Sequence, residues 1–162
     1  MADETYLITA EDIAAMDGLR KTHFLNENAK RINKSLGDAT GLTGLGIHVI
    51  EVEPGHVTTE FHNHYFEDEA VYVLAGTATA EIGDVEYNIK TGDFIGYRKG
   101  GLPHAIRNTG TETLRCLVIG QRLPQDVADY PRMGKRIYRN EGLPWDLADL
   151  DDLTHPQAGA KK

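Results

Sequence analysis

Short runs of β-branched, aromatic and other apolar residues recur between residues 41 and 120, and turn residues separate them. The runs are GIHVIEVE, VTTEF, EAVYVLAG, TATAEI, VEYNIK, DFIGY, HAIRN and TLRCLVIG. The turns between them carry Pro54-Gly55, Gly83-Asp84, Thr91-Gly92, Gly100-Gly101 and Thr109-Gly110. Many short strands at regular spacing predict an all-β sandwich or barrel over residues 41–122. Gly83-Asp84 has the composition and length of a two-residue hairpin loop.

The N-terminal flank, residues 1–40, is predicted as a short helix and an arm. Thr9 is followed three residues later by Asp12, which resembles a capping box with Asp in place of Glu or Gln. A helix is therefore expected at about residues 10–20. Residues 21–40 lack a clear apolar period and are predicted as loop or arm.

The C-terminal flank, residues 123–162, is polar and irregular and is predicted as an extended arm. KRIYRN (135–140) is a candidate for one more edge strand. The acidic segment beyond it carries apolar anchors around Trp145, and we expect the arm to pack on the barrel or on a partner subunit.

The chain is acidic, with 25 Asp and Glu, 17 Lys and Arg and a formal net charge of −8. A nucleic-acid backbone would be repelled unless a basic face were segregated, so no nucleic-acid partner is expected. Two basic clusters are interpreted as solvated faces. They are Arg20, Lys21, Lys30, Arg31 and Lys34 near the start, and Arg132, Lys135, Arg136 and Arg139 near the end.

Targeting signals and membrane spans are also not expected. The N-terminus has no basic region followed by an apolar run, and no stretch approaches the roughly 20 apolar residues of a membrane span. The single cysteine, Cys116, lies in an apolar run and is expected to be a buried small hydrophobe. These features predict a cytoplasmic protein without a membrane partner.

Three potential metal ligands lie within eight residues, at His62, His64 and Glu69. In a strand, residues i and i+2 project to the same face, so the two imidazoles can share one ion. Four residues then lead to Glu69, which suits a turn into the next strand. His104, some forty residues later, is a fourth candidate. Three imidazoles and one carboxylate suit one divalent transition metal per chain, such as Zn, Fe, Mn, Ni, Co or Cu.

The spacing of glycines around these residues resembles the two sequence motifs of the cupin family. The first run is Gly55-x6-His62-x-His64-x4-Glu69-x6-Gly76, and the second is Gly92-x11-His104-x3-Asn108. This resemblance implies a double-stranded β-helix, the jelly-roll or cupin barrel, with a short N-terminal helix and extended arms at both ends. It also implies that His62, His64, Glu69 and His104 are the metal ligands. The flanking segments are similar to a group of small stand-alone bacterial cupins.

The function expected from this resemblance is a metal-binding cupin that acts on or binds a small polar or anionic organic molecule inside the barrel. A metal-dependent dioxygenase-like oxidoreductase, an isomerase and a lyase remain open as reaction classes. The alternatives are a non-enzymatic small-molecule binder or sensor, and a storage protein with a vestigial metal site. No catalytic acid or base is assigned.

A homodimer is expected from Val71-Tyr72-Val73-Leu74, a run that is apolar on both faces of its strand. One face lines the barrel, and the other needs a cover. Tyr72 is out of phase with Glu69 and is predicted to point away from the metal. His23, His48, His56 and His155 lack a partner pattern and are interpreted as structural or surface residues.

Overall fold

The computed structural model describes residues 5–159, and its first element is the helix α1, Ala10–Ala15. The predicted capping box is present, because Thr9 accepts from the Asp12 amide and Asp12 accepts from the Thr9 amide. The helix is shorter than the predicted 10–20. Met16 is already extended, and Gly18 turns the chain at φ 70° into the first strand.

Most of the remaining chain is antiparallel sheet. The strands are β1 (Leu19–His23), β2 (Asn26–Ser35), β3 (Leu45–Val52), β4 (Asn63–His64), β5 (Glu69–Ala75), β6 (Thr77–Ile82), β7 (Val85–Lys90), β8 (Phe94–Tyr97), β9 (His104–Arg107), β10 (Leu114–Gln121), β11 (Gln125–Tyr130), β12 (Lys135–Asn140) and β13 (Asp146–Asp149). A four-residue helix, α2 (Leu36–Ala39), and two single 3₁₀ turns, Pro131–Met133 and Leu150–Asp152, complete the described elements.

The strands form three sheets. A six-stranded sheet has the order β1-β2-β3-β10-β5-β8, a three-stranded sheet β7-β6-β9, and a four-stranded sheet β13-β12-β11-β4. The predicted two-residue hairpin at Gly83-Asp84 joins β6 to β7, with Ile82 opposite Val85 and Gly83 at φ 58°. The all-β sandwich or barrel predicted from the strand pattern is confirmed, as is the barrel implied by the cupin resemblance.

The main core lies between the six-stranded and three-stranded sheets, and residues of both contribute to it. Its buried members are Ile50, Val52, Val71, Val73, Ala78, Ala80, Ile89, Tyr97, Ile106, Leu114 and Cys116. Cys116 is buried as expected, and burial raises the pKa of its thiol to about 12. A smaller cluster of Ala128, Tyr130 and Ile137 packs under the four-stranded sheet with Leu25 against it.

The prediction of a loop or arm over residues 21–40 is wrong for most of that segment. Its residues form most of β1 and all of β2, and β2 pairs with β3, so the six-stranded sheet extends past the predicted barrel boundary at residue 41. The strand reads NENAKRINKS and lacks an apolar period because one face borders a polar cavity and the other borders solvent or ion pairs. Strand pairing does not decide how the chain divides into domains, so the predicted division at residues 40 and 122 stays a prediction.

The C-terminal segment is more regular than predicted. KRIYRN forms β12, and it is an inner strand because β11 and β13 pair on its two sides. Trp145 remains largely exposed to solvent in its own chain. Its side chain is 62% exposed, and its ring lies 5.5 Å from the guanidinium of Arg139.

The outward face of β5 and β8 is apolar and exposed. Tyr72 and Leu74 alternate with the buried Val71 and Val73, and Phe94 lies directly opposite Tyr72. Tyr72 therefore points away from Glu69, as predicted. None of the helices among residues 5–159 has the length and hydropathy of a membrane span.

Candidate metal centre

Backbone pairing brings His62 and His104 together at one end of the barrel. The two residues form an isolated β-bridge with hydrogen bonds in both directions, at 3.1 Å and 2.8 Å. His64 ends the short strand β4 and pairs with Ala128 of β11. Glu69 begins β5 after the intervening turn. All four sequence-predicted residues therefore line one cavity, although they come from three separate segments of the chain.

The side-chain donor atoms of these residues converge. His62 Nε2 and His64 Nε2 are 3.1 Å apart, and His64 Nε2 is 4.0 Å from Glu69 Oε2. His62, His64 and Glu69 each place one donor within 4.8 Å of the others. His104 joins this group through Glu69, whose Oε1 lies 3.8 Å from His104 Nε2.

Hydrogen bonds at Nδ1 determine which imidazole nitrogen faces the centre. His62 Nδ1 lies 2.8 Å from the Glu60 carbonyl, and His104 Nδ1 lies 3.3 Å from the Leu102 carbonyl. A carbonyl can only accept, so both Nδ1 atoms carry the proton, and a neutral ring then has its lone pair on Nε2. His64 Nδ1 donates in the same way to the Asp126 carboxylate at 2.6 Å.

The converging atoms fit one metal ion. Two donors bound to the same ion at about 2.1 Å each must lie within about 4.2 Å of each other, and the His62–His64, His64–Glu69 and Glu69–His104 distances satisfy this limit. His62, His64 and Glu69 form the compact donor group, and His104 reaches it from the side of Glu69 Oε1. Two neutral imidazole lone pairs at 3.1 Å repel unless a cation lies between them, which is either a proton on His64 Nε2 or a metal ion. His104 Nε2 is buried and has no hydrogen-bond partner among the described residues, which a metal ion would supply.

Burial and charge set the protonation of the candidate ligands. Burial lowers the pKa of His62 to about 3, so this ring is neutral at pH 7. Burial alone would raise the pKa of Glu69, but His104 and the other two imidazoles outweigh it and lower that pKa to about 2. Burial also opposes a charged His64, but the hydrogen bond to Asp126 outweighs it and raises the pKa of His64. Protons therefore compete with a metal ion first at His64.

Asp126 orients His64, and the sequence pattern did not indicate it. The Asp126 carboxylate is fully buried, accepts from His64 and the Phe66 amide, and binds Arg139 at 2.9 Å. Arg139 also donates to the buried carboxylate of Glu67. Asp126 stands 62 residues from His64 in an unremarkable strand, so only the tertiary structure reveals the pair.

The interpretation of Arg139 changes with this network. Arg139 was assigned to a solvated face, but its guanidinium is paired with Glu67 and Asp126 inside the molecule. Glu67 lies in the turn before Glu69 and reaches His64 only through Arg139 and Asp126. A second group of metal-type donors, His64, Glu67 and Asp126, is thereby satisfied by Arg139 rather than open to an ion.

Tyr97 fixes the ring plane of His104. The two rings stack at a centroid distance of 3.5 Å and an interplanar angle of 4°. Tyr97 lies opposite Glu69 in the β5–β8 register, so one row of the sheet supports two candidate ligands.

The candidate centre opens into a cavity of about 870 Å³ inside the barrel. Gly120 lies opposite Glu69, and a Cβ placed on it would meet no atom within 4 Å. Open space therefore adjoins the centre. His23 and His48 line this cavity, whereas His56 bonds Asn28 and lies outside it.

Comparisons with known proteins agree with this architecture. Residues 48–120 match the profile of the Cupin domain family. A proposed sugar phosphate isomerase from Acidithiobacillus ferrooxidans is 53% identical, with 93% of this chain and 96% of that chain covered and a TM-score of 0.90. A sugar phosphate isomerase of a cupin superfamily from Silicibacter pomeroyi is 25% identical, with 88% and 94% covered and a TM-score of 0.75. No curated protein matched the chain.

Removing one ligand should weaken metal binding while the barrel remains folded. We expect His62→Ala and His104→Ala each to lower metal affinity at least tenfold, about 1.4 kcal/mol, because each deletes one of four donors. The core between the sheets does not include these side chains, so circular dichroism should be unchanged. Metal per chain is measured by elemental analysis, with His56→Ala as the control. Full occupancy in both variants, with loss in His56→Ala, would show that the site lies elsewhere.

Removing the Asp126 charge should loosen the centre without deleting a ligand. We expect Asp126→Asn to lower metal affinity by about 10–100-fold, because His64 loses the carboxylate that fixes its tautomer. Asp129→Asn is the matched control, since Asp129 lies on the same strand but bonds Tyr65 and Arg136 instead. Chelator competition gives the affinities, and thermal melts give the stability. Equal affinities for the two variants would exclude the positioning role of Asp126.

Proposed function

The chain belongs to the cupin superfamily, and we propose that it is a metal-dependent isomerase acting on a small phosphorylated sugar inside the barrel. The observation that carries the proposal is the convergence of His62, His64 and Glu69 in a cavity of about 870 Å³, with His104 beside Glu69 in the same cavity. The Acidithiobacillus relative, a proposed sugar phosphate isomerase, covers nearly the whole chain and supports the substrate class.

A divalent transition metal held by these four residues would supply Lewis-acid chemistry, which polarises a carbonyl or hydroxyl oxygen of a sugar. An isomerisation breaks one C–H bond and forms another on the neighbouring carbon, while a proton moves between the two oxygens. No outside oxidant or reductant is required.

The protein contributes orientation and a defined space to this reaction. The Nδ1 hydrogen bonds of His62 and His104 and the carboxylate of Asp126 hold the three rings toward one point. The missing side chain at Gly120 leaves room beside Glu69 for a substrate oxygen. These features position a reacting atom before the chemistry begins.

His23 offers a neutral donor to the same cavity. The Leu25 amide donates to His23 Nδ1 at 3.1 Å, so the neutral ring carries its proton on Nε2. Burial and the nearby Arg31 charge lower the pKa of His23 to about 4, so the ring is neutral at pH 7. An N–H donor of this kind suits the hydroxyl groups of a sugar.

The proposed activity is tested with the purified full chain at one metal per chain. We expect conversion of at least one aldose or ketose phosphate to its isomer, followed by NMR, with no conversion of the unphosphorylated sugar. His62→Ala should reduce the rate to background because the centre loses a donor, whereas His56→Ala should retain it. Tight binding of sugar phosphates without turnover by the metal-loaded chain would instead indicate the non-enzymatic binder or sensor.

We further propose that the protein is a homodimer, because the outward apolar face of β5 and β8 is uncovered. Tyr72, Leu74 and Phe94 are 42%, 36% and 66% exposed there. Large exposed apolar patches mark association surfaces.

The dimer should sediment at about twice the 17.9 kDa chain mass at micromolar concentration. We expect Phe94→Asp to shift it toward monomer, because a carboxylate at the centre of an apolar contact loses its hydration. Val85→Asp is the control, since Val85 is exposed on the three-stranded sheet, away from β5 and β8. A wild-type chain that sediments near 17.9 kDa would exclude this dimer.

A further inference from the structure

Two cationic side chains face each other on the cavity side of the six-stranded sheet. Lys21 of β1 is the register partner of Arg31 of β2, and both line the cavity. On β2 the alternate residues Arg31, Asn33 and Ser35 line the cavity, whereas the residues between them do not. On β1, Lys21 and His23 are less exposed than Arg20 and Thr22, so Lys21 lies on the inward face as well. Like charges directly opposite on a sheet are destabilising. Their placement therefore calls for an explanation other than stability.

Neither Lys21 nor Arg31 forms an ion pair within the described part of the chain, although Asp38 acts on Lys21 and Glu69 on Arg31 from a greater distance. No carboxylate lies within ion-pair distance of Lys21 or Arg31 among residues 5–159. Arg31 donates to the Thr58 carbonyl, which carries no formal charge. On the outward face of the same strand, by contrast, Lys34 pairs with Glu51 at 3.1 Å. The cavity face thus differs from the outer face in leaving its cations without anionic partners.

His48 and Arg122 add donors to the same wall. A Cβ at Gly46 would lie 3.1 Å from His48 Nε2 and 3.2 Å from Arg122 Nε, so a glycine leaves these two atoms room to approach. The side-chain amide nitrogen of Asn33, Nδ2, lies 3.1 Å from His48 Nδ1. An amide N–H can only donate, so Nδ1 accepts and the neutral His48 ring carries its proton on Nε2. Arg122 is partly engaged, because it binds Asp38 at 2.5 Å.

The electrostatics of these groups agree with a positive wall. Burial lowers the pKa of His48, and the charges of Lys21 and Arg122 lower it further. Burial and the charges of Arg31 and Arg122 also lower the pKa of Lys21, against the opposing effect of Asp38. Lys21, Arg31 and Arg122 stand against one ion-paired carboxylate, Asp38, and against Glu69, which acts on Arg31 from beyond ion-pair distance. This balance leaves a net positive charge that a bound anion would compensate.

We propose that Lys21, Arg31, His48 and Arg122 form a subsite for the phosphoryl group of the substrate, in the same cavity as the candidate metal centre. A phosphoryl dianion presents three acceptor oxygens, which matches a site of several N–H donors and two unpaired cations. The inference rests on the proposed function and adds where the phosphoryl group binds. The sugar then extends from this wall toward Glu69 and the histidines.

The test measures binding of inorganic phosphate to the purified full chain by calorimetry. We expect Lys21→Gln and Arg31→Gln each to weaken phosphate binding about tenfold or more, because each removes a charge-assisted hydrogen bond. Lys30→Gln is the matched control, since Lys30 directly precedes Arg31 on β2 and is exposed on the opposite face of that strand. Thermal melts show whether each variant is folded. If Arg31→Gln is not folded, Lys21→Gln alone tests the proposal.

His104→Ala separates this subsite from phosphate bound at the metal. We expect it to retain phosphate affinity within about twofold, since it changes the centre and leaves all four proposed donors in place. The proposal is overturned if the wild type binds no phosphate, if Lys21→Gln binds it unchanged, or if His104→Ala abolishes binding. Phosphate binding at this wall without isomerase activity would overturn the proposed function alone. Turnover with an unchanged KM in Lys21→Gln would overturn the subsite alone.

Discussion

The barrel depends on strands whose inward side chains change from apolar to polar along their length. On β5, Val73 and Val71 are buried in the core, and Glu69 follows on the same face at the cavity. On β3, Ile50 lies in the core and His48 lines the cavity two residues earlier. Because alternation places every second residue inward, one end of each strand stabilises the sheets and the other end supplies chemistry.

Burying polar groups at one end requires a partner for each of them. Arg139 pairs with Glu67 and Asp126, and Asp126 in turn holds His64. A buried charge left without its partner is strongly destabilising, so these residues act as a set. Among residues 5–159, His104 Nε2 at the centre has no hydrogen-bond partner, and Lys21 and Arg31 in the same cavity form no ion pair. A metal ion would satisfy the first group and an anion the other two.

Much of this arrangement was readable from local sequence. The His62-x-His64 spacing, the turn to Glu69, the Thr9 cap and the Gly83-Asp84 hairpin all follow from residues a few positions apart. The alternation of Tyr72 with Val71 and Val73 was equally clear. In each case the physical cause acts over one strand or one turn, so a single sequence contains it.

The features that the sequence did not predict have a common cause, because each depends on long-range contacts. NENAKRINKS forms a ten-residue strand with polar side chains on both faces, because a polar cavity borders one of them, and hydrophobic periodicity cannot identify such a strand. The roles of Asp126 and Arg139 could not be predicted from the sequence for a related reason. Their role depends on residues 62 and 72 positions away, to which local patterns do not refer.

The pairing of β4 with β11 has a thermodynamic consequence. His64 belongs to the candidate centre, while its register partner Ala128 and its carboxylate partner Asp126 belong to the four-stranded sheet. A ligand that favours the present orientation of His64 must therefore stabilise the attachment of the four-stranded sheet. By linkage, attachment of that sheet strengthens ligand binding by the same free energy. Occupancy of the centre and resistance of the C-terminal strands to local unfolding are thus two readouts of one linked equilibrium.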